Sequence, residues 1–134
     1  MENLLIVVAD YANLTKNNKL NIMGIFNELN PPTYPYTHPS LFLIFKLRAQ
    51  LGEYGTTRTV TVKFMDADGK ELLTIPQEIK VPDIVQGKRP EVNGVMALNG
   101  LPFPKPGMYN FVVLVDKDHK GEVSIQANEP PQQG

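Results

Sequence analysis

The stretch Met108-Tyr109-Asn110-Phe111-Val112-Val113-Leu114-Val115-Asp116 constrains this chain most. One alternating set, Tyr109, Phe111, Val113 and Val115, is wholly apolar, and the other mixes Met108, Asn110, Val112, Leu114 and Asp116. Side chains of a strand point to opposite faces in turn, so the first set faces a core and the second a partly covered outer side. This is the pattern of a central strand. Its start, Gly107-x-Tyr109, has the spacing of the tyrosine corner of Greek-key sandwiches, where a Tyr hydroxyl bonds back to upstream backbone.

Other segments alternate in the same way between clusters of turn residues, and none holds a helical period of useful length. Leu4 to Leu14 is apolar on both alternating sets until Asp10, which predicts a strand covered on both faces or placed at a subunit contact. Thr15–Lys19 supplies asparagines suited to a hairpin turn into Leu20–Phe26, where Gly24 suggests a bulge. The proline-bearing run Asn30–Pro39 crosses between sheets, because prolines remove ladder donors. Leu41, Leu43, Phe45 and Leu47 face inward on a third strand whose other face meets water, and Val60, Val62 and Phe64 do so on a fourth. After the turn Asp66–Gly69, the in-phase residues Leu73, Ile75, Ile79 and Val81 form a strand that Pro76 marks as an edge. A loop from Pro82 to Glu91 and a short strand over Val92–Asn99 lead to the central strand, and a hairpin closed by Asp116–Gly121 leads to Val123, Ile125 and Ala127. The expected fold is all-β: an antiparallel two-sheet β-sandwich of about eight strands, immunoglobulin-like or C2-like, over residues 1–127, with a flexible tail at 128–134.

The 134 residues suffice for one domain, and 13 basic against 14 acidic side chains, without long runs of one sign, give no footprint for nucleic acid. The absence of cysteine excludes disulfides, thiolate metal sites and thiol catalysis, and fits cytoplasmic residence. The apolar run Leu4–Ala9 lacks a basic flank and is too short to cross a bilayer, so no membrane association is expected.

The blocks Ala9-Asp10-Tyr11-Ala12, Lys19-Leu20-Asn21-Ile22-Met23-Gly24-Ile25-Phe26, Asp66-Ala67-Asp68-Gly69 and Gly107-x-Tyr109-x-Phe111 make the chain resemble a family of small single-domain bacterial proteins of unknown function. The resemblance implies a bacterial source and carries over no activity and no catalytic residue.

Three constellations remain as candidate sites. Tyr34, Tyr36 and His38 alternate along the proline run, a spacing suited to a stacking platform for carbohydrate or a partner chain, and Pro31-Pro32-Thr33-Tyr34 matches the ligand motif of WW-type domains. The plain alternative is a stiff crossover with its tyrosines packed on the end of a sheet. Asp66 and Asp68 with Asp116 and Asp118 would form a calcium site if both acidic turns share one end of the sandwich, although Lys70, Lys117 and Lys120 stand among them. His38 and His119 lack metal-pair spacing, Ser40 and Ser124 lack a nucleophile elbow, and Gly52-x-x-Gly55 precedes no helix. The expectation is therefore a non-enzymatic binding or scaffold module without a cofactor, engaging a protein or a second copy of itself, with a small-ligand module as the alternative.

Overall fold

A computed structural model describes residues 1–83, 87 and 89–131. The loop expected over Pro82–Glu91 thus lies partly outside the described residues, at 84–86 and 88, as does the tail at 132–134. Nine strands follow one another: β1 (Glu2–Leu14), β2 (Leu20–Ile25), β3 (Glu28–Leu29), β4 (Tyr36–Arg48), β5 (Thr57–Met65), β6 (Glu71–Lys80), β7 (Glu91–Phe103), β8 (Gly107–Val115) and β9 (Asp118–Ala127). They form a four-stranded sheet of order β2-β1-β4-β7 and a five-stranded sheet of order β3-β9-β8-β5-β6, packed as a sandwich.

The predicted central strand is β8, held between β9 and β5, with Tyr109, Phe111, Val113 and Val115 all buried. The tyrosine corner is present. Tyr109 donates its hydroxyl to the Lys105 carbonyl at 2.6 Å and accepts from the Lys105 amide at 3.3 Å. Phe64 of β5 stacks on Phe111 and Tyr109, with centroids at 4.7 and 5.5 Å, and Phe103 of β7 meets it edge-on at 5.3 Å, so the core's aromatic centre joins both sheets. The tip of the Phe45 ring of β4 lies against Gly94 of β7, where an added Cβ would overlap it, so only glycine admits the ring there.

Several expectations require correction. The strand from Val92 runs unbroken to Phe103, and β4 begins at Tyr36 and includes Pro39, which faces β7 on one side and has no β1 residue paired on the other. A proline is tolerated where no second neighbour needs its donor. The two residues of β3 pair parallel with β9, the one parallel ladder in the described sheets. On β6, the edge strand as predicted, Leu73 shares the inward phase but is 37% exposed, while Leu72 packs on the core as the extra residue of a bulge opposite Phe64 and Met65. Asn128, assigned to a loose tail, is tied by its amide to Leu29 and by its carbonyl to Tyr34. The last turn is only Asp116–Lys117, both at positive φ (49° and 77°), the two-residue hairpin geometry whose twist matches the strands.

In the four-stranded sheet, alternation resets at two cross-strand positions. Pro39 stands opposite Gly100 (φ 67°), between the pairs His38 with Leu101 and Ser40 with Asn99. On either side of it Leu98 and Leu101, three residues apart, both enter the same core. Asp10 stands likewise opposite Gly24 (φ 72°), and Ala9 and Ala12 share one cluster across it. The bulge expected at Gly24 is therefore absent as a register shift: pairing keeps its register from Ala9 with Ile25 to Leu14 with Leu20. A left-handed glycine lets both strands skip one step together.

Replacing Tyr109 by Phe is expected to cost about 1 kcal/mol, the net value of its hydroxyl bonding. Tyr109→Ala is expected to cost about 3–5 kcal/mol, as a buried aromatic truncation does. Urea unfolding of the two variants checks both, and a loss below about 1 kcal/mol for the alanine variant would contradict the corner's role in the core.

Candidate functional site

The reset at Pro39 and Gly100 decides the fate of the proline-aromatic segment. It turns Tyr36 and His38 toward the interior, where the His38 ring lies 5.8 Å from Tyr36, 6.2 Å from Phe26 and 6.4 Å from Phe103. The Tyr36 hydroxyl and His38 Nδ1 are 3.0 Å apart, and the Tyr34 hydroxyl donates to the Asn128 carbonyl at 2.6 Å. Tyr34, Tyr36 and His38 are thus half-buried, with both tyrosine hydroxyls and His38 Nδ1 engaged inside the chain, and they do not stand out in a row as the spacing suggested. They close the end of the sandwich, as the plain alternative has it.

The acidic turns lie apart. The Asp66–Gly69 turn follows β5 and the Asp116–Lys117 turn follows β8, and these two strands are antiparallel neighbours. Turns that follow antiparallel neighbours fall at opposite ends of a sheet, so Asp66 and Asp68 do not meet Asp116 and Asp118. Asp66 accepts the amides of Asp68 and Lys70 at 3.0 and 2.9 Å, and Asp68 pairs with Lys105 at 3.0 Å. Asp116 accepts the Thr59 amide at 3.1 Å and pairs with Arg58 at 3.0 Å, and these two contacts hold its carboxyl below the usual range. Among the described residues no three His, Cys, Asp or Glu side chains come together in a group able to hold a metal ion. His119 is exposed opposite Leu114 on the outer side of the five-stranded sheet, whereas His38 lies between the sheets.

The surface that sequence reasoning missed belongs to the hairpin of β1 and β2. Leu5, Lys46 and Asn93 share one row across β1, β4 and β7. Asn18, at the hairpin's tip, is thirteen residues beyond Leu5, roughly 40 Å along a straight strand. Yet its carbonyl accepts a hydrogen bond from Asn93 Nδ2 at 2.8 Å. The hairpin therefore folds back at Asp10 and Gly24 and lies across the outer face of its own sheet. Ala12, Leu20 and Ile22 pack there on Ala9, Ile44, Phe42, Val7 and Val95, and Ile44 is wholly buried on the face expected to meet water. The covering of β1 on both faces is thus supplied by its own hairpin. Outside this contact, Met23 is 65% exposed and Ile25 62%, and Tyr11, the cross-strand partner of Met23, is 47% exposed with its ring edge-on to Phe42 at 5.2 Å. Beside the tip, a cleft of about 660 Å³ is lined by Asn18, Arg48, Pro82, Asp83, Arg89, Pro90 and Glu91, a charge-balanced set.

Burial draws the His38 pKa below its ordinary 6.5, against the Ser40 backbone bond and the Asp10 carboxylate, which both raise it. The unfolded chain then takes up the proton more readily, so this contribution to stability is complete above about pH 6.5 and is lost as pH falls through the lower folded-state value. On acidification from neutral, the urea midpoint of the wild type is expected to fall more than that of His38→Gln. Parallel falls would mean that His38 titrates as it does in water.

A comparison with curated protein sequences finds no match. Among solved structures, a beta-glucuronidase from glycoside hydrolase family 2 is similar over 72% of this chain, at 16% identity and a TM-score of 0.38. The aligned part is 12% of that chain's length. One protein family, described as a family of unknown function (DUF6941), matches residues 4–128, nearly the whole length, and the chain belongs to that family.

Proposed function

We propose that this domain is a non-catalytic binding module that docks a protein partner on the outer surface of the β1–β2 hairpin. The observation that supports it is the exposure of Met23, Ile25 and Tyr11 around the hairpin's bend. Aromatic and methionine side chains are enriched where protein surfaces meet, and neighbouring exposed apolar groups mark such places more often than scattered ones do. From Leu20 to Ile25 the strand carries no charge, and it is an edge of its sheet, so its outer backbone groups have no strand beyond them among the described residues. The edge β6, by contrast, carries Pro76, Glu71, Glu78 and Lys80, which discourage pairing. A partner that fits has an uncharged, apolar surface of its own. The cysteine-free sequence accords with a reducing compartment such as the cytoplasm.

The test is affinity capture from cell extract by the wild type and by Met23→Lys with Ile25→Glu, read by mass spectrometry. Both positions are exposed, so the double variant is expected to keep its stability within about 0.5 kcal/mol per site. It is expected to lose a partner that the wild type retains. Capture that is unchanged by the two substitutions, or no specific capture by the wild type, would overturn the reading.

A further inference from the structure

Residues 10–25 cover the outer face of the four-stranded sheet through few contacts. Ala12, Leu20 and Ile22 supply apolar ones over Ala9, Ile44, Phe42 and Val95, and the Tyr11 ring adds an edge-on contact to Phe42 at 5.2 Å. The tip is held by the bond from Asn93 Nδ2 to the Asn18 carbonyl, and among the described residues no ion pair joins Thr15–Met23 to the rest of the chain. The latch is imperfect, because Asn93 Oδ1 is buried there without a partner. The bend runs through Gly24, whose left-handed φ of 72° and close approach to the Asp10 carboxylate (2.6 Å from an added Cβ) suit glycine alone. Below the bend, the amide of Phe26 still bonds to the Val8 carbonyl and Val8 pairs with Leu43, so the hairpin's base stays in the sheet whichever way the upper part swings.

Swinging it out would uncover Ile44 and Ala9, both now wholly buried. One occupant is known to fit that face, since it is seen there: the segment 10–25. We infer that this hairpin exchanges between two copies of the chain, so that Ala12, Leu20 and Ile22 of each copy cover Ile44 and Val95 of the other in a two-fold dimer. The contacts made within one chain and between two are then the same. The balance is set by chain concentration and by the preference of the bend at Asp10 and Gly24, which is why exchange is a low-cost route to a dimer. The inference stands on the hairpin's inner contacts and is separate from docking on Met23 and Ile25.

The chain has no cysteine, so Asn18→Cys with Asn93→Cys introduces a single reporter pair at the latch. The reduced variant is held at millimolar concentration, separated by size with light scattering, oxidised, and run on a non-reducing gel. A species of twice the 15.0 kDa chain mass is expected, and its chains should be joined by the new disulfide, while chains from the monomer peak run singly. Adding Gly24→Ala should raise the dimer fraction several-fold at equal concentration, and Met23→Lys with Ile25→Glu should leave it unchanged. A dimer whose oxidised chains run singly with no free thiol left would show that the latch pair closes within one chain and would overturn the inference, as would the absence of dimer at every concentration. If the alanine variant does not fold, the cysteine pair decides alone.

Discussion

The sandwich depends on the contact between Phe64, Phe111 and Tyr109 of one sheet and Phe103 of the other. Aromatic side chains bury much area per residue and favour stacked or edge-on pairs, so four of them meeting between two sheets fix both the spacing and the relative position of the layers. Phe103 reaches this cluster only because β7 skips a step at Gly100. Had alternation continued from Leu98, Phe103 and Leu101 would point outward and the end of the sandwich would lack its apolar filling. The same skip in β4, at Pro39, brings Tyr36 and His38 inward beside Phe103, so one irregularity shared by two strands builds the core and closes it.

The second irregularity, at Asp10 and Gly24, acts on the opposite face. An antiparallel sheet of this size commonly leaves one side to water, with polar residues there. Here the outward set of β1, β4 and β7 includes Val7, Ala9, Phe42, Ile44 and Val95, which the folded-back hairpin covers. The four-stranded sheet is thus buried on both sides in its middle, and the polar outward residues Glu2, Lys46, Arg48 and Glu91 gather at one end, where they form surface ion pairs. Such exposed pairs contribute little each. The apolar cover holds the hairpin down.

Much of this was legible in the residues. The central strand, its tyrosine corner and the edge position of β6 follow from period-two alternation, a Gly-x-Tyr spacing and Pro76, all of which act locally. The double coverage of β1 was legible too, since both alternating sets of Leu4–Ala9 are apolar; the sequence does not say what supplies the cover. The resets were not legible, because each requires two residues far apart in sequence, Pro39 with Gly100 or Asp10 with Gly24, to face one another. A glycine read alone suggests a bulge or a turn, and only its partner across the ladder turns it into a change of facing. The inward turn of Tyr36 and His38 was not legible for that reason. The acidic turns are a different case: once β5 and β8 are neighbours, antiparallel pairing alone sends the turns that follow them to opposite ends, but the neighbourhood itself is a long-range fact.

The hairpin's two sides place unequal demands on its sequence. Ala12, Leu20 and Ile22 must be apolar and of limited size, because they fill the space above Ile44 and Val95. Tyr11, about half exposed, meets the Phe42 ring edge-on at 5.2 Å, while Met23 and Ile25 keep nearly two thirds of their surface in water. Polar residues there would satisfy β-strand packing equally well, and on an edge strand charge would also guard against unwanted pairing. Folding therefore accounts for the inner side of the hairpin and leaves the outer side unexplained. Met23 and Ile25, whose apolar character brings the monomer little packing, are where a binding role is most economically sought, and they stand together at the bend of one hairpin.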